Sequence, residues 1–202
     1  SAVELPDGKH LLLYTGVVKT DSDEFQTQCV AVGDGTDYEK DASNPVIDGS
    51  MLPADGSHVE FRDPKIWRDA DGYHAVVANL YAEENGVILL YDSEDARHWN
   101  YIGILAAGHG HYGTMWECPD FFFLDGKAVL LHSAHEMLGE GLEFHPGDGT
   151  VCHIGRYDKS TRSLTDEAVQ AIDYGLDFYA PQTMETPDGR RVMIGWMQSW
   201  AS

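Results

Sequence analysis

Arg62-Asp63-Pro64-Lys65-Ile66-Trp67 has two counterparts further along the chain, Glu117-Cys118-Pro119-Asp120-Phe121-Phe122 and Tyr179-Ala180-Pro181-Gln182-Thr183-Met184. Each stretch runs toward an Asp-Gly pair, at Asp71-Gly72, Asp125-Gly126 and Asp188-Gly189. Asp-Gly readily takes the positive φ angles of a tight hairpin. An apolar strand follows each turn. The prolines stand 55 and 62 residues apart. A unit of about 40 to 60 residues made of short antiparallel strands is the pattern of propeller blades. The proline falls near the start of a blade's first strand, where a missing N–H is tolerated.

The rest of the chain fits this reading. Asp-Gly occurs five more times, at Asp7, Asp34, Asp48, Asp55 and Asp148. Between the pairs lie short apolar runs, among them Leu11–Thr15, Tyr73–Val77, Val87–Tyr91, Ala128–Leu131 and Arg191–Ile194. These predict strands of about five to eight residues. The best run of helical period, Asp166–Ile172, is weak. The fold class is therefore all-β and antiparallel. In a propeller the first strand of every blade lines the central channel. The residues just ahead of the three prolines should then crowd around one axial pocket. Two of those positions hold carboxylates, Asp63 and Glu117.

Charge and composition narrow the partners. The chain carries 34 acidic against 13 basic residues, a formal charge of −21. Such a surface repels nucleic acid and anionic membrane, so neither is expected as a partner. No run approaches the roughly 18 to 20 apolar residues of a membrane span. The opening residues carry neither the basic head nor the apolar run of a signal peptide. Cys29, Cys118 and Cys152 are too few and too widely spaced for a disulfide framework or zinc site, which fits a reducing compartment. Leu11–Val18 reads as the second strand of a blade whose first strand lies upstream, and Met193–Trp196 begins a blade that runs out of residues. Three to four blades are expected, in whole or part, of a longer protein.

Two carboxylates facing a pocket rimmed with aromatics suit glycosidic cleavage: one protonates the leaving oxygen, another attacks or activates water. Trp116 and Cys118-Pro119 flank Glu117, and an apolar wall raises a carboxyl pKa, as a general acid needs. Arg62 adjoins Asp63, and a neighbouring cation keeps an acid ionised. On spacing alone, a surface Arg62–Asp63 pair with Glu117 capping a turn stays open.

The motifs decide further. Phe61-Arg62-Asp63-Pro64, Trp116-Glu117-Cys118-Pro119-Asp120 and Asp177-Phe178-Tyr179-Ala180-Pro181-Gln182 resemble, in order, successive motifs of glycoside hydrolase family 32. Tyr14-Thr15-Gly16, Gln28–Gly35, Lys40, Asn44–Ile47, Gly189–Arg191 and Gly195–Met197 agree. The resemblance implies a five-bladed propeller followed by a β-sandwich, and a retaining hydrolase of β-fructofuranosides. It makes Glu117 the acid/base and Asp63 the transition-state stabiliser. Arg62, Trp116, Cys118, Tyr179, Gln182 and Trp196 become substrate-binding residues, with no metal and no cofactor. The partner implied is a fructoside, such as sucrose, sucrose 6-phosphate or a fructan. The family's sugar-metabolising members, with the free cysteines, imply cytoplasmic residence. No signal bears on oligomeric state.

One departure is large. The family's nucleophile is an Asp in an Asn-Asp-Pro-Asn-like motif on the first blade, and these 202 residues hold no such motif. The reading is an incomplete propeller catalytic domain over residues 1–202, lacking its first blade and the sandwich and inactive alone. Fructosyl transfer and a non-catalytic glycan-binding propeller are the alternatives. Gly108-His109-Gly110-His111-Tyr112-Gly113 lacks a third metal ligand at useful spacing and reads as a loop near the pocket mouth. His132-Ser133-Ala134-His135-Glu136 reads as loop histidines at a strand end.

Overall fold

The computed structural model describes residues 1–21, 23–82, 85–198 and 200. Among these residues fourteen strands form four antiparallel sheets. The first holds β1 (Ala2–Glu4), β2 (His10–Lys19), β3 (Glu24–Gly33) and β4 (Tyr38–Lys40). The second holds β5 (Gly56–Asp69), β6 (Gly72–Tyr81), β7 (Asn85–Ser93) and β8 (Trp99–Ala107). The third holds β9 (Trp116–Leu124), β10 (Lys127–Met137), β11 (Gly147–Asp158) and β12 (Ser163–Ala171). The fourth pairs β13 (Tyr179–Glu185) with β14 (Arg191–Trp196). Strand order within every sheet follows the chain, so each is a simple up-and-down meander. The arrangement is propeller-like. Among the described residues, the sole helical element is one 3-10 turn, Gly49–Met51, whose N-cap Asp48 accepts from the Ser50 N–H. No helix of the described residues is long and apolar enough to cross a membrane.

Local chemistry explains the strands. Val87–Tyr91 is buried at every position, because both faces of β7 lie between neighbouring sheets. Asp125 and Gly126, both at positive φ, make the two-residue turn that sets Leu124 opposite Lys127. The core lies in layers between successive sheets. Leu11, Leu13, Val30 and Ile47 pack on Phe61, Ile66 and Tyr91. Val76, Ile88 and Leu90 pack on Trp116, Phe121 and Leu130. Phe122, Val129 and Leu131 pack toward Met193 of the fourth sheet. Cys29, Cys118 and Cys152 are free.

The weak helical period at 166–172 forms no helix, in line with the all-β reading: residues 163–171 are strand β12, laddered on β11. Two expectations need correction. Asp148-Gly149 lies inside β11 rather than in a turn. The second strand of the first sheet does have a first-strand partner within the chain, since Ala2–Glu4 pairs with His10–Leu12.

Candidate active site

The three repeated stretches lie on β5, β9 and β13, each the first strand of its sheet. All three break register at the repeat, where β5 slips against β6 between Arg62 and Lys65, β9 against β10 beside Glu117, and β13 against β14 between Tyr179 and Gln182. The residue before each proline is left-handed, with φ of 61° at Asp63, 49° at Cys118 and 51° at Ala180. Proline disfavours the right-handed helical region for the residue ahead of it. A non-glycine at positive φ is rare, and rarer still three times at one repeat position. The result is a bulge that turns a strand and re-aims its side chains. Positions 62, 117 and 179 are thereby equivalent, and so are 63, 118 and 180.

Equivalent positions meet. Arg62 Nε donates to Glu117 Oε1 at 2.8 Å, and Nη2 lies at the same distance from that oxygen as an ion pair. The Tyr179 hydroxyl donates to Glu117 Oε2 at 2.8 Å. His135 Nε2, on β10, lies 2.8 Å from the same Oε2. Arg62 also pairs with Glu60 on its own strand. Burial pushes the Glu117 carboxyl up, but the His135 hydrogen bond, the Arg62 charge and the Tyr179 bond together outweigh it and hold it at about 2. Burial, with the Glu117 charge adding to it, pushes the Tyr179 hydroxyl far up.

Asp63 points elsewhere. Its Oδ2 accepts from the Cys118 N–H at 3.1 Å and lies 3.5 Å from Cys118 Sγ. Burial raises its pKa and the Glu117 charge adds to this, against the Cys118 N–H bond and the Arg62 charge. Both electrostatic expectations are therefore reversed: Glu117 is the depressed acid and Asp63 the raised one. The cause is strand geometry, since adjacent residues point to opposite sides and Arg62 reaches across to the next sheet. Burial also pushes the Cys118 thiol up, next to the Asp63 charge.

Thr15 Oγ1 fixes the Asp63 backbone, accepting from its N–H at 3.0 Å while donating to Gln28 Oε1 at 2.9 Å. Thr15→Val keeps the volume and removes both bonds. It is expected to destabilise the protein by about 1–3 kcal/mol, the cost of unpaired, partly buried polar groups, read by urea denaturation. Unchanged stability would mean that the bonds hold nothing.

Below these residues a second network ties the strands together. Lys65 Nζ faces the wholly buried Asp120 Oδ1 at 3.1 Å and donates to Thr183 O at 2.8 Å and Gln182 Oε1 at 3.2 Å. Gln182 Nε2 donates to Cys118 O at 3.0 Å. An open channel of about 1230 Å³ runs past Asp63, Lys65, Cys118 and Gln182. Glu117 precedes the lining residue Cys118 without lining the channel itself, and 12% of its side chain is exposed.

Arg62, Asp63, Glu117, Cys118, Tyr179 and Gln182 thus come together as expected, whereas two tryptophans do not join them. Trp116 is fully buried inside its sheet, stacked on His132 with centroids 3.7 Å apart, its Nε1 donating to Tyr112 O. It precedes Glu117 on the strand and so faces the other way. Trp196 stands opposite Tyr179 in the ladder but is 41% exposed and packs edge-on against Trp200. The residues that sequence reasoning missed are His135, Asp148, Lys65, Asp120 and Thr15. His135 is a strand residue of β10 rather than a loop histidine. A signal existed for Asp120, which repeats the position of Lys65.

The model for the Glycosyl hydrolases family 32 N-terminal domain matches residues 1–202. The sucrose-6-phosphate hydrolase of Escherichia coli is 35% identical over 208 aligned residues, which take in all of this chain and 42% of that protein. The solved GH32 beta-fructofuranosidase of Bombyx mori is 36% identical with a TM-score of 0.88, over all of this chain and 43% of that one. The sucrose-6-phosphate hydrolase structure from Lactobacillus gasseri shares 25% identity at a TM-score of 0.84, over 99% of this chain and 41% of that one. The chain spans about two fifths of the length of these relatives. With the family's domain model matching all 202 residues and the sheets superposing on solved members, the chain belongs to glycosyl hydrolase family 32.

Proposed function

We propose that these residues are part of the five-bladed catalytic propeller of a retaining β-fructofuranosidase acting on sucrose or a related fructoside. The observation that carries this reading is the meeting of Glu117 with Arg62 and Tyr179, beside Asp63, across three bulged strands. In the proposed sequence Glu117 gives a proton to the glycosidic oxygen as its bond to the fructosyl anomeric carbon breaks. An Asp that these 202 residues do not hold attacks that carbon and forms a covalent fructosyl ester. Asp63 accepts hydrogen bonds from furanose hydroxyls while positive charge develops on the ring. Glu117, now ionised, takes a proton from water as that water attacks the ester and frees fructose. The depressed Glu117 pKa keeps the carboxylate ionised, the form from which the base half of the cycle starts. The acid half needs a proton delivered to it as the sugar enters, when sugar hydroxyls compete for Arg62 and water is displaced.

Asp63→Asn in the full-length protein tests the reading. Asparagine tolerates positive φ and can still accept the Cys118 N–H, so the bulge survives. Sucrose turnover is expected to fall about 10²–10³-fold, the effect of losing one preorganised charge contact. Turnover within tenfold of the unaltered protein would remove Asp63 from the mechanism. Sucrose binding without any turnover by the unaltered protein would favour the non-catalytic glycan binder instead.

A further inference from the structure

We propose that His135, braced by Asp148, is the positioning residue that stores the acid/base proton, so that the His135–Glu117 pair sets the alkaline limit of turnover. The inference rests on the fructosidase reading of the same site. It starts from a count of lone pairs. Glu117 Oε1 accepts the Arg62 Nε–H with Nη2 paired to it at 2.8 Å, and Oε2 faces Tyr179 and His135. Four groups thus crowd at 2.8 Å around a carboxylate that has about four acceptor positions. A proton reaches Glu117 most directly from one of these neighbours. Arginine does not release a proton in proteins. The Tyr179 hydroxyl is pushed far above its ordinary range. His135 is the donor that remains.

The imidazole is built to hold that proton. Its Nε2 lies 2.8 Å from Glu117 Oε2 and its Nδ1 lies 3.3 Å from Asp148 Oδ1. A neutral ring would present a lone pair to one of those carboxylates, whereas an imidazolium gives each an N–H. The ring is 24% exposed, and Asp148 only 7%. Its backbone is clamped on both sides, His135 N–H donating to Met115 O and Thr114 N–H donating to His135 O, each at 2.9 Å. Gly113 (φ 84°) lies where a Cβ would stand 2.1 Å from His135 O, so only glycine lets the two segments approach. The titratable and charged groups around the ring are Glu117 on β9, Asp148 on β11, Tyr179 on β13 and, through Glu117, Arg62 on β5. Its neighbour Glu136 bonds Thr114 Oγ1. The Glu117 bond, opposed by burial and aided by Asp148, raises the His135 pKa above its ordinary value of 6.5.

The transfer balances. A proton passes from Nε2 to Oε2, leaving a neutral imidazole whose Nδ1–H stays on Asp148 and a neutral Glu117 carboxyl. Glu117 then gives that proton to the leaving oxygen. In the second half it takes a proton from the attacking water and returns it to His135 Nε2. One proton on the pair is thus the active form, and it is lost when His135 titrates.

The test is the pH profile of kcat/KM for sucrose with the full-length protein. The alkaline limb of the unaltered protein should lie above about pH 6.5, the ordinary histidine value. His135→Gln keeps a hydrogen bond to Glu117 but stores no proton. Its alkaline limb should move down by about one unit or more, an extra loss of at least tenfold near neutral pH relative to acid pH. Asp148→Asn should move the limb the same way by less. A selective NMR titration of the His135 ring gives a second readout, and Glu117→Gln should lower its pKa. An unmoved limb in His135→Gln, even with uniformly lower turnover, overturns the inference, and so does a ring titration indifferent to Glu117→Gln. The fructosidase reading fails differently: the unaltered protein would then turn over no fructoside at any pH, and the inference would fall with it.

Discussion

Glu117→Gln in the full-length protein is expected to lower sucrose turnover by about 10²–10⁴-fold, the usual contribution of general acid/base catalysis. Folding should survive. The amide oxygen can still accept from Arg62, and the new NH2 would face the Tyr179 hydroxyl and the His135 ring. A hydroxyl can rotate to accept, and a neutral imidazole can accept as well. The stability cost should therefore stay near 1–2 kcal/mol, the worth of one or two altered hydrogen bonds. Loss of turnover with a cooperative unfolding transition close to that of the unaltered protein is the expected pair of results. Turnover within tenfold of that protein would show that Glu117 is not the proton donor, whatever its surroundings.

Asp120→Ala is expected to have the largest effect on stability. Asp120 is wholly buried, its Oδ1 facing Lys65 and its Oδ2 accepting the Thr183 N–H. Oδ1 has no aligned donor, so the Lys65 contact is a charge pairing. Removing the carboxylate leaves Lys65, 15% exposed, without its counter-charge and leaves the Thr183 N–H unpaired. Breaking one half of such a pair costs about 3–5 kcal/mol, a large share of the roughly 5–15 kcal/mol of a folded domain. The double change Asp120→Leu with Lys65→Met should cost less than the single one, because no buried charge is then stranded. Urea denaturation of the three proteins separates the outcomes. A single variant within 1 kcal/mol of the unaltered protein would mean that Lys65 is adequately solvated through the channel.

These two residues show what was legible in the chain. The repeat around Pro64, Pro119 and Pro181 foretold which strands meet, because register slips and left-handed residues recur at the same repeat position. That alignment alone brought positions 62, 117 and 179 together. It did not foretell who pairs with whom. Arg62 adjoins Asp63 in sequence, yet its guanidinium lies on Glu117, because neighbours on a strand diverge. Trp116 misled for the same reason, being next to Glu117 in the chain but on the sheet's inner face. His135 and Asp148 were invisible because their meeting depends on the β10 bulge between Ala134 and Met137 and on an Asp-Gly pair that continues a strand. Local chemistry reads turns well. It does not read which face a bulge delivers.

The relatives share the fold, and the site explains how a chain so acidic can keep two further carboxylates close together. Arg62 lies between Glu60 and Glu117, and Cys118 between Asp63 and Glu117, so no pair of these acids meets without a donor nearby. The bulges are what put those donors there.

A crystal structure of the full-length Glu117→Gln variant soaked with sucrose tests the central claim most directly. Furanose hydroxyls should lie within about 3 Å of the Asp63 carboxylate, and the glycosidic oxygen within about 3.5 Å of the side chain at 117, the span of a hydrogen bond. Sucrose ordered elsewhere on the molecule, with Asp63 and position 117 untouched, would contradict it.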